Sequence, residues 1–447
     1  MAIIEKKSHV KDHLPGPRSK EYLKISEKVE PRCTTQQAPV VWDHAEGVLV
    51  TDVDGNRFID FTSGVLVTNV GHSHPKHVRA IQEAAARLMN CYDFPTPSRV
   101  ELAERLVALT PENLDQAFML TTGSEATEAA VRVAKRFTGQ HEILSFYGAF
   151  HGRTYGAMSL AGKTGTKKHF GPTMPGCIHA PYAYCYRCPF KMEPETCGFH
   201  CVDFIDDAVN AASTGDLAAM IVEPYQGAAG FIFPPEGYLT RLQAWCKDRD
   251  VLFILDEVQS SFGRTGRMFA LEWEGLRPNL LCVGKGIGSG VPTAALLGES
   301  RLFASLGPGE MSSTTGGNPL SCAAGLAVLE IMEEERLADN ALKVGGMMLK
   351  RLQRMAEEVE ALGDVRGRGL VIGLEFVEDK ESRMPAEAIA KEVVHRCCQA
   401  GLLVGRVGVH GNVIRVAPPL VIMEEEAEEA LDILEGVLKA MHSGPCG

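Results

Sequence analysis

Lys285 stands in Cys282-Val283-Gly284-Lys285-Gly286-Ile287, with Gly288 and Gly290 following. A lysine is rarely hemmed in by glycines and apolar residues without a chemical reason, and the glycines leave room for a bulky ligand. An amine held in this way is placed for Schiff-base chemistry with a carbonyl compound. Upstream, the apolar run Val251-Leu252-Phe253-Ile254-Leu255 ends in Asp256-Glu257-Val258-Gln259. A carboxylate at the end of a buried strand can keep a pyridine nitrogen protonated, which makes the ring an electron sink. Taken singly, Asp256 also reads as a helix cap and Lys285 as a solvated loop residue. Taken together they point to pyridoxal 5′-phosphate (PLP) carried on Lys285, with Gln259 in reach of the ring's phenolic oxygen.

Other segments supply what such a ligand needs. Thr121-Thr122-Gly123-Ser124-Glu125 leads from a strand into a helix, with Thr122 and Glu125 at capping-box spacing. The positive end of that helix, with a glycine admitting close approach, suits a phosphate on Gly123 and Ser124. Ser313-Thr314-Thr315-Gly316-Gly317-Asn318-Pro319 is a second candidate phosphate contact. Phe150 and His151 lie in a glycine-rich loop, where an aromatic ring can stack on a flat cofactor or simply pack. Arg415 is the single charge in Val413-Ile414-Arg415-Val416-Ala417-Pro418-Pro419. Its guanidinium suits a carboxylate, with a salt bridge between domains as the competing reading. Cys185, Cys188, Cys197 and Cys201 form a C-x2-C…C-x3-C set that fits zinc, or an iron–sulfur cluster less well. A loop of packed, reduced thiols is the alternative.

The elements that must position these residues are legible from periodicity. Residues 47–60 alternate around Asp54-Gly55, a hairpin signal. From about residue 95, helices alternate with short apolar strands near 118–120, 142–146, 218–222, 251–255 and 280–283. Such alternation predicts a mainly parallel sheet covered by helices on both faces. One long helical stretch is expected from 319 to about 360, followed by strands at 370–376 and 412–417 and a helix at 424–441. The chain has 447 residues, 45% hydrophobic and 23% charged, as in a globular enzyme. A net charge of −12 argues against nucleic acid or an acidic membrane surface as partner. No apolar stretch is long enough to span a bilayer, and the N-terminal residues lack a signal-like apolar region. The expected location is therefore cytoplasmic, where most of the 13 cysteines would be small core residues.

In this order the segments resemble the class III (ornithine and 4-aminobutyrate type) aminotransferases of PLP fold type I. The likeness runs from Asp60-Phe61-Thr62-Ser63-Gly64 and Gly71-His72-Ser73-His74-Pro75 to Arg415-Val416-Ala417-Pro418-Pro419-Leu420. Its most specific part is Leu255-Asp256-Glu257-Val258-Gln259, Gly263-Arg264-Thr265-Gly266 and Gly284-Lys285-Gly286, joined by Gly316-Gly317-Asn318-Pro319. The resemblance implies an α/β fold, a mainly parallel seven-stranded sheet plus a smaller α+β domain made from both chain ends. Its parts would be an arm at 1–45, small-domain segments at 46–95 and 331–447, and a large PLP-binding domain at 96–330.

Lys285 then looks like the Schiff-base lysine that moves a proton between Cα and C4′. Asp256 would pair with the ring nitrogen, Gln259 with the phenolic oxygen and Phe150 with the ring face, with His151 beside it. Gly123 and Ser124 would hold the phosphate. Thr314 would add a contact from a neighbouring subunit, implying a homodimer or a dimer of dimers. Arg415 would bind the α-carboxylate, and Glu223, Val65, Tyr92 and Ala228 would line the substrate pocket.

The implied reaction is ping-pong transfer of an amino group, through a Lys285 aldimine, from a 4-aminobutyrate- or ornithine-type amino acid. The acceptor would be a keto acid such as 2-oxoglutarate or pyruvate. One position departs from the pattern. In the ornithine and 4-aminobutyrate enzymes a glutamate typically follows the segment matching Glu223-Pro224-Tyr225-Gln226-Gly227 and masks the carboxylate-binding arginine. Here that position is Ala228. This favours substrates presenting an α-carboxylate in both half-reactions and leaves open a PLP-dependent racemase or epimerase. The Cys-x-x-Cys-Pro segment also resembles a branch containing 4-aminobutyrate-like aminotransferases and broad-specificity amino-acid racemases.

Overall fold

The computed structural model describes residues 6–11, 13–33 and 37–442. The chain divides into two units, one of residues 75–336 and one that joins 1–74 to 337–447. Residues 75–95, expected with the smaller part, belong to the larger. The helix Pro75–Ala85 packs on Pro319–Glu334, and Lys76 Nζ reaches Glu330 and Glu334 at 2.7 Å each.

The larger unit is built on a seven-stranded sheet. Its strands lie in the order Gln116–Leu120, Ala294–Gly298, Leu280–Val283, Leu252–Asp256, Leu217–Val222, Glu142–Phe146, Cys177–Ala180. Ala294–Gly298 runs antiparallel to both neighbours, and the other pairings are parallel. Every residue of the strands Leu217–Val222, Leu252–Asp256 and Leu280–Val283 is buried, as a sheet covered on both faces requires. Two apolar cores flank it, one of them holding the alanine- and valine-rich face of the helix Gly123–Thr138. That helix begins in a complete capping box between Thr122 and Glu125 and ends at Gly139, whose φ of 72° needs the left-handed region.

The smaller unit is α+β and draws on both chain ends. Its first sheet orders Trp42–Glu46, Leu49–Asp52, Arg57–Asp60 and Leu402–Leu403, the last pairing in parallel with Arg57–Asp60. A second, antiparallel sheet orders Leu362–Arg368, Val371–Phe376, Val413–Val416 and Gly405–Val407. The expected arm contains a regular helix, Pro17–Val29. The helical stretch expected after Pro319 is two helices, Pro319–Glu334 and Leu337–Glu358. They are broken at Arg336, which adopts φ 51°. No helix among the described residues is long and apolar enough to cross a membrane.

Candidate active site

The carboxyl ends of the central strands of the larger unit open into a cavity of about 670 Å³, counting the space continuous with solvent. Strand Leu252–Asp256 delivers Asp256 to it, and the turn that follows delivers Val258, Gln259 and Ser260. Strand Leu280–Val283 ends just before Lys285, which also lines the cavity and itself adopts φ 46°. A left-handed φ at a non-glycine residue is strained, and such strain concentrates at functional sites. The capping turn contributes Thr122, Gly123 and Ser124, and the glycine-rich loop contributes Phe150, His151 and Gly152.

Glycines shape the side of the cavity at the helix start. A Cβ at Gly152 would collide with Ser124 Oγ, and one at Gly123 would sit 2.5 Å from Val258 Cγ1. Ser124 Oγ in turn accepts from Arg153 N at 3.1 Å. At Gly227 a Cβ would run into the Gln259 amide, so this glycine is what lets Gln259 lie where it does. The Gln259 Oε1 atom is buried and has no hydrogen-bond partner.

The electrostatics centre on three buried groups. Asp256 Oδ2 lies 2.7 Å from His151 Nδ1, and Val258 N donates to Oδ1 at 3.0 Å. Burial works against a charged His151 ring, but the hydrogen bond and charge of Asp256, with the charge of Glu223, outweigh it and raise the pKa. His151 Nε2 is buried without a hydrogen-bond partner. Glu223 accepts from Phe150 N at 2.9 Å and Gly227 N at 3.1 Å, tying together two loops of the cavity wall. Burial above all, with the Asp256 charge, pushes its pKa up to about 7, against the two amides and His151.

The larger unit thus brings together Lys285, Asp256, Gln259, Gly123, Ser124, Phe150, His151, Glu223 and Ala228. Thr314 is exposed, in a loop whose Ser313 and Gly316 border a different cavity. Tyr92 lines that second cavity, with Arg99 and Met119, and not the Lys285 cavity of its own chain. Arg415 and Val65 belong to the smaller unit. There Val65 follows Ser63 and Gly64 and precedes Leu66 in a run of positive φ values, 47°, 57°, 71° and 61° in chain order. Sequence reasoning did not single out Tyr225, whose hydroxyl donates to Gln259 O at 3.4 Å. Its place beside Glu223 and Gln226 was the available signal.

The zinc expectation is not supported. No group of three or more His, Cys, Asp or Glu side chains among the described residues is arranged to hold a metal ion. Cys185, Cys188, Cys197 and Cys201 are all free thiols. Cys201 packs against the core, where burial, with the neighbouring Cys185 and Cys197, pushes its pKa up to about 12. Cys197 Sγ lies 3.6 Å from Pro194 O.

Comparison with known proteins places this geometry in a family. Residues 32–438 match the family model described as Aminotransferase class-III. Leucine/methionine racemase of Thermococcus litoralis is 37% identical over 435 residues, covering 96% of this chain and 98% of that protein. A 4-aminobutyrate aminotransferase of Mycobacterium leprae is 36% identical over 447 residues, covering 98% and 99%. Among solved structures, an amine transaminase from an uncultivated Pseudomonas species, in its PLP-bound internal aldimine form, superposes with a TM-score of 0.86. It shares 30% identity and covers 97% of this chain and 100% of its own.

Proposed function

The chain belongs to the class III aminotransferase family, enzymes that transfer amino groups with PLP, and we propose that the cavity around Lys285 is where this one does so. The observation that carries the proposal is the convergence of Lys285, the buried Asp256–His151 pair and Gln259 on one cavity with a helix N-terminus at its edge. The residues present fit the cofactor. Buried Gln259 Oε1 and His151 Nε2 lack hydrogen-bond partners, and Gly123 and Gly152 let the cavity wall close up against Val258 and Ser124, where any side chain would collide.

When bound, PLP supplies an electron sink for the pair left on Cα when a proton or substituent departs. Lys285 would hold the cofactor through its amine and carry the proton to and from Cα. Asp256 would present its carboxylate to the ring nitrogen, fixed in place by donors from His151 and Val258. Gln259 would contact the phenolic oxygen, and Phe150 would cover one ring face. Gly123 and Ser124 would cradle the phosphate at the start of the helix. Glu223 would keep Phe150 and the Gly227 turn in register.

We assign the donor as an amino acid of the 4-aminobutyrate or ornithine type and the acceptor as 2-oxoglutarate or pyruvate, with Arg415 taking the carboxylate and Val65 lining the substrate pocket. The identity to a 4-aminobutyrate aminotransferase supports this. A holoenzyme half-reaction with 4-aminobutyrate, followed by addition of 2-oxoglutarate, tests it. The donor should convert the cofactor to its amino form and the keto acid should restore it. Lys285→Ala should lower turnover by ~10³-fold or more. Retention of wild-type turnover would overturn the assignment of Lys285.

The identity to a racemase supports a second reading, in which the proton returns to the opposite face of Cα. Incubation with one L-amino acid and no keto acid separates the two. Loss of optical activity with the cofactor unconverted would favour racemisation.

The assembly we propose is a homodimer in which Thr314 serves the partner's phosphate site. Exposed apolar side chains support a second copy of the chain, namely Leu88, Met89, Tyr92, Phe94 and Val100 at 48, 61, 45, 77 and 56% exposure. We propose a cytoplasmic location, supported by twelve described cysteines that are all free.

A further inference from the structure

Arg415 has an unusual set of partners. It lies in the strand Val413–Val416 with 5% of its surface exposed. A guanidinium carries five N–H donors in a fixed fork. One of them, on Nη2, meets Gln37 Oε1 at 2.6 Å, while Nε is buried without a hydrogen-bond partner. Asp60 is the favourable charge nearby, yet its carboxylate is engaged elsewhere. Its Oδ1 accepts from Thr62 N at 2.7 Å and Thr62 Oγ1 at 2.6 Å, and its Oδ2 lies 2.9 Å from His72 Nε2. Burial lowers the Arg415 pKa to about 10 while Asp60 opposes the shift, so the fork remains charged at neutral pH. Gly405 lies alongside, where a Cβ would collide with Nε and come within 2.6 Å of Nη2. The strand Gly405–Val407 therefore leaves the guanidinium a smooth backbone neighbour and no further side chain at that point.

We propose that Gln37 is a neutral, displaceable cover on Arg415, which holds the guanidinium in place and yields it to the carboxylate of an incoming amino or keto acid. The proposal rests on the reading of Arg415 as the carboxylate site. An amide oxygen satisfies one donor and neutralises no charge. A carboxylate satisfies two donors in parallel and pairs the charge, so it outcompetes the amide. Gln37 is an exposed residue and can turn its amide to water, so displacement leaves no polar group buried and unpaired on the cover's side. A charged cover at the same position would behave differently. It would match the fork as well as the substrate does and would have to be expelled in every half-reaction that brings a carboxylate. Position 37 is where this chain regulates access to the arginine. The class of ligand selected is one presenting an α-carboxylate, and the neutrality of residue 37 sets how readily it enters.

The test is calorimetric titration of 2-oxoglutarate into the holoenzyme carrying the aldehyde form of the cofactor, with which a keto acid does not react. Wild type, Gln37→Glu, Gln37→Ala and Arg415→Ala are compared. Gln37→Glu should weaken binding ~10-fold or more, since a charge-assisted pair must then be broken. Gln37→Ala should bind as wild type does or up to ~3-fold more tightly, because no acceptor has to leave. In steady state Gln37→Glu should raise KM for 2-oxoglutarate with little change in kcat, a split that general misfolding would not produce. Unchanged binding in Gln37→Glu, or equal weakening in Gln37→Ala, overturns the cover. If Arg415→Ala also binds normally, the carboxylate-site reading itself has failed. If only Arg415→Ala loses binding, that reading stands and the role of Gln37 is refuted.

Discussion

Asp256 and His151 are adjacent in space and 105 residues apart in the chain, and that contact changes what each can do. A carboxylate alone at a strand end would be free to rotate and hydrate. Held by His151 Nδ1 and Val258 N, it presents a fixed negative charge to the cavity. Asp256→Asn keeps the shape and removes the charge. It should lower kcat by ~10²–10³-fold and shift the pH titration of the bound cofactor's absorbance. A full-rate Asn variant would refute the ring-nitrogen pairing. Glu257, next in sequence, has a structural task. It accepts from Leu271 N at 2.7 Å, Ala270 N at 2.8 Å and Ser260 Oγ at 2.9 Å, and burial still pushes its pKa up to about 7. A carboxyl raised in the folded state binds its proton more tightly there than in the unfolded chain. Stability is therefore lost as pH rises from the unfolded value of 4.5 towards 7, by on the order of 3 kcal/mol. Glu223 acts with the same sign, and raised His151 also loses its contribution as pH climbs through its folded pKa. Denaturant midpoints of the holoenzyme should fall between about pH 5 and 8, and Glu257→Gln should flatten the slope. That Lys285, Asp256 and Gln259 line one cavity was legible in the sequence because the signal lies in local spacing. The backing of Asp256 by His151 was not, because no periodicity reports a contact across two loops.

At the scale of elements, two turns show how the chain solves problems that local signals do not disclose. The helix Pro17–Val29 begins at Gly16, which has no side chain to cap it. Asp54, from the hairpin, supplies the cap instead, accepting from Arg18 N at 2.8 Å, Ser19 N at 2.9 Å and Ser19 Oγ at 2.6 Å. Asp54→Ala should destabilise that helix by ~1 kcal/mol, seen as faster amide exchange over residues 17–29 with the larger unit unaffected. Uniform exchange in both proteins would show the cap to be idle. The second turn is the left-handed run from Ser63 to Leu66, held by Val65 N and Leu66 N donating to Thr62 O and by Ser63 Oγ donating to Ala417 O. A β-branched valine at φ 71° is strained by ~1–2 kcal/mol. Val65→Gly should raise the melting temperature or leave it unchanged while altering KM. A drop in melting temperature would contradict the strain. Periodicity found the strands at 142–146 and 280–283 to the residue, since a short, largely apolar run between turns has few other readings. It merged two helices at 335–336, because the apolar period continues through a break made by one backbone angle.

At the scale of the whole molecule, both chain ends build the smaller unit, through the parallel pairing of Leu402–Leu403 with Arg57–Asp60. The exposed apolar side chains near Phe94 predict self-association. Phe94→Asp should shift the mass measured by light scattering towards the monomer, and an unchanged mass would remove this surface from the interface. Metal analysis of protein purified without chelator should find near-zero stoichiometry, since the four clustered cysteines form no ligand set. The amino-acid sequence by itself determined the alternating architecture, the lysine among glycines, the carboxylate at a strand end and the family these imply. Those features depend on backbone geometry and on neighbours within a few residues. Only the tertiary structure decided that His151 braces Asp256, that Glu223 ties Phe150 to Gly227, and that Gln37 meets Arg415 across 378 residues. Such contacts are chosen by packing and by the cost of leaving buried donors and acceptors unpaired, and neither is written in any local stretch of chain.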